Sequence, residues 1–400
     1  MQIKRIYSEL ARYHLANDRQ MLFFSGPRQV GKTTLCAEFQ DFYYNWDNLA
    51  ARTTILKGEE AVASDVGLNA PKAVMPVIAF DELHHYAKWK QFLKGFFDVY
   101  GARSRIFVTG SARLNVYKKI GDSLMGRYYP YRMHPLSVGE LLRTSLPQED
   151  VQHELAELPD DDWRRLYEFG GYPEPFCRAD KLQLRRWQRL RFEQLMRGDI
   201  QKDTAIRELD QLEAMARILS ERSGEMLVYA SLGAEVQVNE MTVRSWVSVL
   251  ESFFFGYRVT PWSKDIANSL RKTPKWYLRD WSAVGDRGKR HETMLACHLL
   301  KAVEFWTDFG FGEYGLHYIR TKQKKEVDFL VSKDGRPWML VECKSQCRKL
   351  SKTLVEFQRK LMAPYAFQVV FDAPYEAIDC FGFKDQAVIV PARSFLSQLV

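Results

Sequence analysis

Residues 21–35, MLFFSGPRQVGKTTL, decide the fold of the N-terminal part of this 400-residue chain. The apolar run at residues 21–24 predicts a buried strand, and the residues after it fit the pattern G-x-x-x-x-G-K-[ST] at every fixed position. Such a loop turns its N–H groups toward phosphate oxygens at the amino end of the following helix. The predicted phosphate-binding residues are Gly26, Pro27, Arg28, Gln29, Val30, Gly31, Lys32, Thr33 and Thr34.

A second apolar run supplies the carboxylates that such a loop needs. Residues 77–80 predict a buried parallel strand, and Asp81 and Glu82 follow it directly. Ligands of open parallel sheets bind at the carboxyl ends of the strands. We therefore expect Thr33 and Asp81 to hold Mg²⁺, and Glu82 to polarise the water that attacks ATP. The sequence predicts an ATPase that uses ATP and Mg²⁺.

Polar and basic residues further along complete the predicted nucleotide site. A strand at residues 105–108 leads to Thr109 and Ser111, and either hydroxyl could contact the γ-phosphate and the attacking water. Arg127 is the first candidate, and Arg113 the second, for an arginine finger that reaches the ATP of a neighbouring copy. This role predicts a homo-oligomeric ring, such as a hexamer, whereas an ordinary surface arginine is the alternative.

Composition limits the setting in which the chain works. The formal net charge is +8, which favours a polyanionic partner such as DNA, and a merely basic soluble protein is the alternative. The cysteines form no C-x-x-C pair and suggest no disulfide framework. No apolar run approaches the roughly 20 residues of a membrane helix, and the N-terminus lacks the apolar centre of a signal peptide. We expect a cytoplasmic protein without membrane contact.

The middle of the chain predicts helices. Residues 144–162 are acidic and contain two prolines, which is typical of a linker, and residues 163–205 predict a helical lid. The lid contains a strongly basic run, KLQLRRWQRLRFEQLMR, at residues 181–197. A solvated helix face, a phosphate-contacting face and a subunit contact are the three interpretations of this run.

Residues 208–262 are similar to a winged helix. Three helices are predicted at residues 208–222, 227–232 and 240–253, and Asn239 is a favoured cap for the third. That helix would leave an exposed polar face for DNA. The alternative is a module that packs against protein and never meets DNA. The residues of this face are Thr242, Arg244, Ser245 and Ser248.

The C-terminal part contains a second set of acidic and basic residues. In residues 317–345 two apolar strands flank a KDGR turn, which predicts a hairpin. Asp328 lies on the first strand, and Glu342 and Lys344 lie two residues apart on the second, so that they share a face. This is the PD-(D/E)xK pattern, with Glu292 as the upstream acidic residue. Asp328, Glu342 and Glu292 are candidate Mg²⁺ ligands, and Lys344 is a candidate catalytic lysine.

Three interpretations of this C-terminal pattern stay open. It could be an active metal-dependent nuclease, a degenerate nuclease fold that only binds DNA, or a structural ion pair on paired strands. The nearby basic run at residues 320–325 would attract a phosphate backbone, and a solvated hairpin edge is its alternative interpretation.

Several segments together resemble one large prokaryotic family of AAA-type ATPases with a C-terminal domain of unknown function. The resemblance implies ATP hydrolysis by an AAA-type module joined to a winged-helix and nuclease-like tail. The segments span nearly the whole chain, and the ordered set GR…PLSxxE, GGYPEP and PKxYxxD is the most specific part. They are SGPRQVGKTTL, VIAFDELHHYAKWKQFLKGFFD, FVTGSARL, SLMGRYYPYRMHPLSVGEL, GGYPEPF, PKWYLRD and VDFL…VECK.

The expected fold is α/β: a P-loop AAA-type parallel-sheet module with a helical lid, then a winged helix and a restriction-endonuclease-like α/β domain. The expected function is an ATP-driven motor or remodeller of branched or forked DNA. The alternative is a nucleotide-gated signalling or defence ATPase whose C-terminal domain binds a protein partner. The predicted domains are 1–145 (ATPase core), 146–205 (linker and lid), 206–285 (winged helix) and 286–400 (nuclease-like).

Overall fold

The structure is a computed structural model that describes residues 3–70, 74–110, 124–204, 206–263, 273–321, 323, 325–347 and 349–400. The chain divides into two compact units. The N-terminal unit comprises Met1–His134 and Thr144–Leu146, and the C-terminal unit comprises Pro135–Arg143 and Pro147–Val400.

The N-terminal unit is built on a five-stranded parallel sheet. Its strands are β1 (Met21–Ser25), β2 (Phe42–Asn45), β3 (Val77–Asp81), β4 (Arg105–Gly110) and β5 (Tyr128–Arg132). Its helices are α1 (Ile6–Asn17), α2 (Lys32–Ala37), α3 (Leu49–Leu56), α4 (Glu59–Val66) and α5 (Trp89–Tyr100). The strand order is β2-β3-β4-β1-β5. The predicted parallel α/β arrangement of this part is confirmed.

Burial explains why the strand sequences are continuous apolar runs. All five residues of β1 are buried, as expected of a parallel strand that is covered on both faces. Helix α5 buries its aromatic face, as its helical spacing predicts. The Phe80 ring lies edge-on to Phe92 and Phe96 of this helix, with centroids 5.6 and 5.7 Å apart. These contacts fix β3, and with it the carboxylates that follow.

The strand order places three chain segments at one edge of the sheet. Strand β4 lies between β1 and β3. In the register of β3 and β4, Asp81 lies opposite Thr109. The phosphate-binding loop follows β1, so the loop, Asp81 and Thr109 all lie at the carboxyl ends of neighbouring strands.

The C-terminal unit is built on a seven-stranded mixed sheet in the order β12-β11-β10-β9-β8-β6-β7. Its strands are β6 (Gly256–Pro261), β7 (Lys275–Leu278), β8 (Tyr314–Arg320), β9 (Glu326–Lys333), β10 (Arg336–Lys344), β11 (Tyr365–Val370) and β12 (Ala387–Pro391). Its helices are α6 (Val138–Leu142), α7 (Asp160–Phe169), α8 (Pro173–Arg178), α9 (Lys181–Glu193), α10 (Gln201–Asp203), α11 (Leu209–Glu221), α12 (Tyr229–Val236), α13 (Glu240–Ser252), α14 (Arg287–Phe309), α15 (Lys352–Leu361) and α16 (Ala392–Ser397).

Helices α11, α12 and α13 lie where the sequence predicts three helices, although α12 ends at Val236 rather than at residue 232, and the Asn239 side chain caps α13 by accepting from Thr242 N. They lead into an antiparallel pair, β6 and β7. Strand β6 also pairs in parallel with β8. This helical segment and the C-terminal strands therefore contribute to one continuous sheet.

The hairpin predicted around the KDGR turn is also present. Strands β9 and β10 pair antiparallel. Asp334 and Gly335 between them both have positive φ, +51° and +74°, which is the backbone that a two-residue hairpin turn requires.

The short segment after β5 belongs to the C-terminal unit rather than to the sheet that precedes it. Glu140 in this segment forms a buried ion pair of 2.5 Å with Lys301 of α14. The Lys301 ammonium also donates to Ser137 Oγ at 2.8 Å. The backbone N–H of Val138 donates to His298 Nε2 at 3.1 Å. These buried polar contacts hold residues 135–143 in the C-terminal unit.

Among the described residues, no helix has both the length and the apolar character that crossing a membrane requires.

Candidate nucleotide site and carboxylate cluster

The phosphate-binding loop has the backbone that its glycines allow. Gly31, directly before α2, has φ +108°, in the left-handed region that glycine adopts without strain. At Gly26 a Cβ atom would collide with the carbonyl oxygen of Met133, so the backbones approach too closely for any side chain. Lys32 donates to the carbonyl oxygens of Gly26 at 2.9 Å and Pro27 at 2.8 Å. Its buried ammonium therefore lies within the turn of the loop.

Asp81 is the point at which the loop and the sheet edge meet. Its carboxylate accepts from Thr33 Oγ1 at 3.1 Å and from Tyr43 Oη at 2.7 Å. It also accepts from Thr109 Oγ1. Asp81 is only 3 % exposed. These donors are neutral hydroxyls, so their bonds orient the carboxylate without compensating its negative charge.

Glu82 follows in a special backbone conformation. Its φ is +54°, in the left-handed region that non-glycine residues seldom adopt. Burial raises the pKa of its carboxyl group, and the positive charge of Lys32 partly opposes this rise. His84 Nε2 and His85 Nε2 lie 3.4 and 3.9 Å from Glu82 Oε2. The carboxyl is held beside the loop lysine in surroundings that suit a base.

The two candidate finger arginines and Ser111 have different outcomes. Ser111 and Arg113 lie outside the described residues. Arg127 forms a two-pronged ion pair with Asp98, through Nε at 2.7 Å and Nη2 at 3.0 Å. Its carbonyl accepts from Met21 N at 2.8 Å. Arg127 therefore lies at the amino end of β1, roughly 15 Å along the strand from the loop of its own chain.

In the C-terminal unit the structure brings together Asp328 and Glu292. Both carboxylates face the ammonium of Lys275, at 3.8 Å from Asp328 Oδ1 and 3.2 Å from Glu292 Oε1. Glu326 Oε1 lies closer still, at 2.6 Å. Lys275 is 5 % exposed. Three carboxylates from β9 and α14 thus surround one buried lysine from β7.

Glu342 and Lys344 pair with each other beside this cluster. Lys344 Nζ lies 2.8 Å from Glu342 Oε1, as expected of residues two apart on one strand face. Glu342 Oε2 is buried and accepts no hydrogen bond from the described part of the chain. Asp328 Oδ2 accepts from Cys343 N at 2.9 Å, which links the two strands.

The pKa values in the cluster follow from burial and close charges. Burial and the neighbouring Glu292 raise the pKa of Asp328 to about 7, although Lys275 opposes the rise. Burial disfavours the charged form of Lys275, but the carboxylates of Glu292, Asp328 and Glu326 outweigh it and raise the pKa of its ammonium. The lysine is charged at any physiological pH.

The two sites differ as places for Mg²⁺. The nucleotide site fits the ion, because Thr33 and Asp81 offer a hydroxyl and a carboxylate whose charge its own hydrogen bonds do not neutralise. The C-terminal cluster does not fit it as arranged, because oxygens of Asp328, Glu292 and Glu326 already face an ammonium. A bound metal at the nucleotide site would offset the charge on the phosphates.

Sequence reasoning missed three residues of these sites. Tyr43 donates to Asp81 from the neighbouring strand, and only the pairing of β2 with β3 places it there. Lys275 and Glu326 complete the C-terminal cluster. Lys275 belongs to the segment PKWYLRD, which was recognised without a role, and Glu326 lies two residues before Asp328.

Comparison with protein-family models divides the chain into three parts. Residues 18–142 match an AAA domain. Residues 160–285 match a domain of unknown function, DUF8612, and residues 287–390 match a second one, DUF4143. The chain therefore carries an AAA-type P-loop ATPase module followed by two domains of unknown function.

The curated relatives that the chain matches are named as uncharacterized proteins. The chain is 22 % identical over 392 residues to one from Mycobacterium tuberculosis, covering 94 % of this chain and 81 % of the relative. It is 21 % identical over 333 residues to one from Haemophilus influenzae, covering 77 % and 78 %. Their names give no activity to carry over.

Comparison with solved structures finds likenesses of low score. RuvB of Thermotoga maritima has a TM-score of 0.30 at 16 % identity, covering 64 % of this chain and 87 % of that one. The Aeropyrum pernix ORC1 protein in complex with DNA has a TM-score of 0.34 at 11 % identity, covering 74 % and 93 %. Scores this low carry no argument about fold or function.

Proposed function

We propose that this protein is an ATP-driven motor or remodeller of DNA, acting on branched or forked DNA during repair or processing. One observation carries the ATPase part: the hydroxyls of Thr33 and Thr109 both donate to Asp81, beside the loop that holds Lys32. The motif residues of three segments therefore meet where a triphosphate and its Mg²⁺ would bind.

Each residue of this site has a distinct role in the proposal. Lys32 and the loop N–H groups hold the phosphates, and Thr33 and Asp81 hold Mg²⁺. Glu82 accepts the proton of the attacking water, and its carboxylate must be ionised to do so. Thr109 orients Asp81 and contacts the γ-phosphate. The sequence prediction gave this contact to either Thr109 or Ser111.

We further propose a ring, such as a hexamer, in which Arg127 acts on the ATP of a neighbouring copy. The position of Arg127 at the amino end of β1 supports action in trans, because the loop of its own chain lies at the other end of the strand. Asp98 holds the guanidinium when no phosphate is near. Mixing Arg127→Ala chains with Lys32→Ala chains should restore part of the ATPase activity that each lacks alone. Mixtures no more active than the separate variants would contradict the trans role.

Features of the C-terminal unit support DNA as the substrate. Arg185, Arg186 and Arg189 are exposed on α9. Arg185 and Arg186 form no ion pair with any described residue, whereas Arg189 lies 3.6 Å from Glu193. Exposed arginines along one helix attract a phosphate backbone. The net charge of +8 and the three helices before β6 point the same way.

The deciding experiment measures the ATPase rate with single-stranded, duplex, forked and four-way DNA at matched salt. We expect stimulation by DNA, strongest with forked or four-way DNA, and DNA binding that weakens as salt rises. ATP hydrolysis with neither DNA stimulation nor salt-sensitive DNA binding would overturn the DNA proposal and leave the ATPase intact.

A pair of variants tests the α9 surface directly. Arg185→Gln combined with Arg186→Gln should reduce the salt dependence of DNA binding by about two phosphate contacts. Arg164→Gln is the matched control, since this exposed arginine on α7 already pairs with Asp161. Equal effects of the control and the double variant would remove α9 from the DNA surface.

A protein partner is the second candidate, and one observation favours it. On α13, Arg244 is paired with Glu240 and lies 4.1 Å above the ring of Tyr229. Nearby Met241 is 73 % exposed and Val228 is 53 % exposed. Apolar exposure beside a neutralised arginine suits a protein more than DNA. ATP turnover unaffected by DNA, with a co-purifying protein lost in Met241→Ser, would favour a nucleotide-gated signalling or defence ATPase.

The six cysteines lie within the described part of the chain and form no disulfide there, which supports a reducing compartment, and we propose that the protein is cytoplasmic.

A further inference from the structure

Lys275 occupies the centre of the C-terminal carboxylate cluster. Its ammonium lies 2.6 Å from Glu326, 3.2 Å from Glu292 and 3.8 Å from Asp328. An ammonium has three N–H donors, and three carboxylates surround this one. The lysine therefore has a complete set of acidic partners from two other elements, β9 and α14.

Further donors bind the same carboxylates. Tyr277 Oη donates to Glu292 Oε1 at 2.6 Å, the oxygen that also faces Lys275. Cys343 N donates to Asp328 Oδ2 at 2.9 Å. Arg320 lies 3.5 Å from Glu326 Oε2. These bonds hold the oxygens in orientations set by the protein's own donors.

A divalent cation needs the oxygens that these donors use. Mg²⁺ takes oxygen ligands at about 2.0–2.1 Å in near-octahedral geometry. The three carboxylates, together with several waters, would have to supply these ligands. It would also have to lie a few ångströms from a buried ammonium, and like charges repel strongly in a poorly solvated interior. Glu342 Oε2 is the one buried carboxylate oxygen here without a donor among the described residues, and a single oxygen does not form a site.

We infer that Lys275 is the resident cation of this cluster, in the place that a divalent metal would need, so the C-terminal unit performs no metal-dependent cleavage of DNA. This inference removes one of the three interpretations that the sequence left open for the C-terminal pattern. The active nuclease is excluded, and Asp328, Glu292 and Glu326 become structural partners of a lysine. The inference is independent of the proposed ATPase, since it concerns the C-terminal unit alone.

The test measures Mn²⁺ binding to the full chain without nucleotide, by electron paramagnetic resonance or calorimetry. Asp81→Asn is present throughout to remove the candidate Mg²⁺ site at Thr33 and Asp81. We expect this chain to bind no Mn²⁺ that depends on Asp328. Adding Lys275→Met removes the ammonium and keeps the length of the side chain, and it should create one Mn²⁺ site per chain. A further Asp328→Asn change should abolish that new site.

Lys289→Met is the matched control. Lys289 lies on the surface of the same unit and pairs with Glu225 at 2.6 Å, so its loss changes the net charge equally without opening the cluster. It should create no Mn²⁺ site.

Two metal-binding results would overturn the inference. One is Mn²⁺ binding by the chain that retains Lys275, lost on Asp328→Asn. The other is a folded Lys275→Met chain that gains no Mn²⁺ site. If circular dichroism shows that Lys275→Met does not fold, the comparison of chains with and without Asp328→Asn decides alone. Plasmid cleavage with Mg²⁺ that Asp328→Asn abolishes would count against the inference in the same way.

Discussion

The nucleotide site and the C-terminal cluster use the same kinds of side chain in opposite ways. In the N-terminal unit one carboxylate, Asp81, is surrounded by the hydroxyls of Thr33, Tyr43 and Thr109. In the C-terminal unit three carboxylates surround the ammonium of Lys275. The first arrangement retains charge for a ligand, and the second uses it within the fold.

The difference shows that acidic residues in a motif do not by themselves make a metal site. The nearest positively charged side chain decides whether the carboxylates are available to a metal ion. Lys32 donates to two loop carbonyls, whereas Lys275 donates to carboxylates. A buried lysine that satisfies carboxylates is part of the structure, and its removal leaves unpaired buried charge.

Glu82→Gln is the strongest test of the candidate nucleotide site, the first of the two sites compared. Loss of the base should lower ATP turnover by about 10²–10⁴-fold, while Thr33 and Asp81 still bind Mg²⁺–ATP. Steady-state hydrolysis and binding of a fluorescent ATP analogue measure the two effects. Lys32→Ala should instead lose ATP binding. The control is Glu60→Gln on the exposed face of α4, which should change neither. Near-normal turnover in Glu82→Gln would show that the base has been misassigned.

If buried lysines of the C-terminal unit have a structural role, replacing a second one, Lys301, should also cause a large loss of stability. Lys301→Ala leaves Glu140 buried without its partner and should lower the free energy of unfolding by about 3–5 kcal/mol. Urea unfolding measures this. Lys289→Ala, at an exposed pair, should cost at most about 1 kcal/mol.

A double variant separates the pair from the packing around it. Lys301→Met with Glu140→Met replaces both charges with apolar groups and should recover most of the stability. A Lys301→Ala chain as stable as Lys289→Ala would show that buried lysines in this unit are not structural.

Acid pH should weaken the C-terminal unit in part through a buried histidine, His298. Burial lowers the pKa of His298 to about 4, and its Nε2 must be unprotonated to accept from Val138 N. The unfolded chain binds the proton from about pH 6.5 downward, so stability falls between about pH 6.5 and 4, by about 3 kcal/mol in all. Asp328, whose pKa is raised, contributes with the opposite sign.

Unfolding at several pH values, compared between the parent chain and His298→Gln, measures this contribution. Glutamine can accept and donate but does not titrate, so the variant should lose less stability over this range. An unchanged pH profile would exclude His298 as the source.

The smallest predicted effect is at Tyr43. Tyr43→Phe removes one of the hydroxyls that orient Asp81. The Mg²⁺ concentration needed for half-maximal hydrolysis should rise by about tenfold, in the range seen for groups that orient a metal ligand. Tyr13→Phe, at an exposed tyrosine on α1, is the control. No change at Tyr43 would mean that Thr33 and Thr109 orient the carboxylate without it.

The sequence by itself predicted which residues meet at the candidate nucleotide site. A fixed spacing sets the loop around Gly31 and Lys32, and parallel strands bring Asp81 and Thr109 to the same edge of the sheet. The hairpin of β9 and β10 could also be predicted from the sequence, because Asp334 and Gly335 determine its turn locally. These features depend on neighbours in the chain or on a strand order that the α/β pattern implies.

Only the tertiary structure decided which cation the C-terminal carboxylates face. Lys275 lies outside the hairpin and reaches Asp328 only because β6, β7 and β8 join one sheet and α14 packs beside it. Likewise, residues 135–143 belong to the C-terminal unit rather than to the sheet that precedes them, because Glu140 forms an ion pair with Lys301 of α14. Contacts between segments far apart in sequence depend on how whole elements pack, and no local pattern of residues records that.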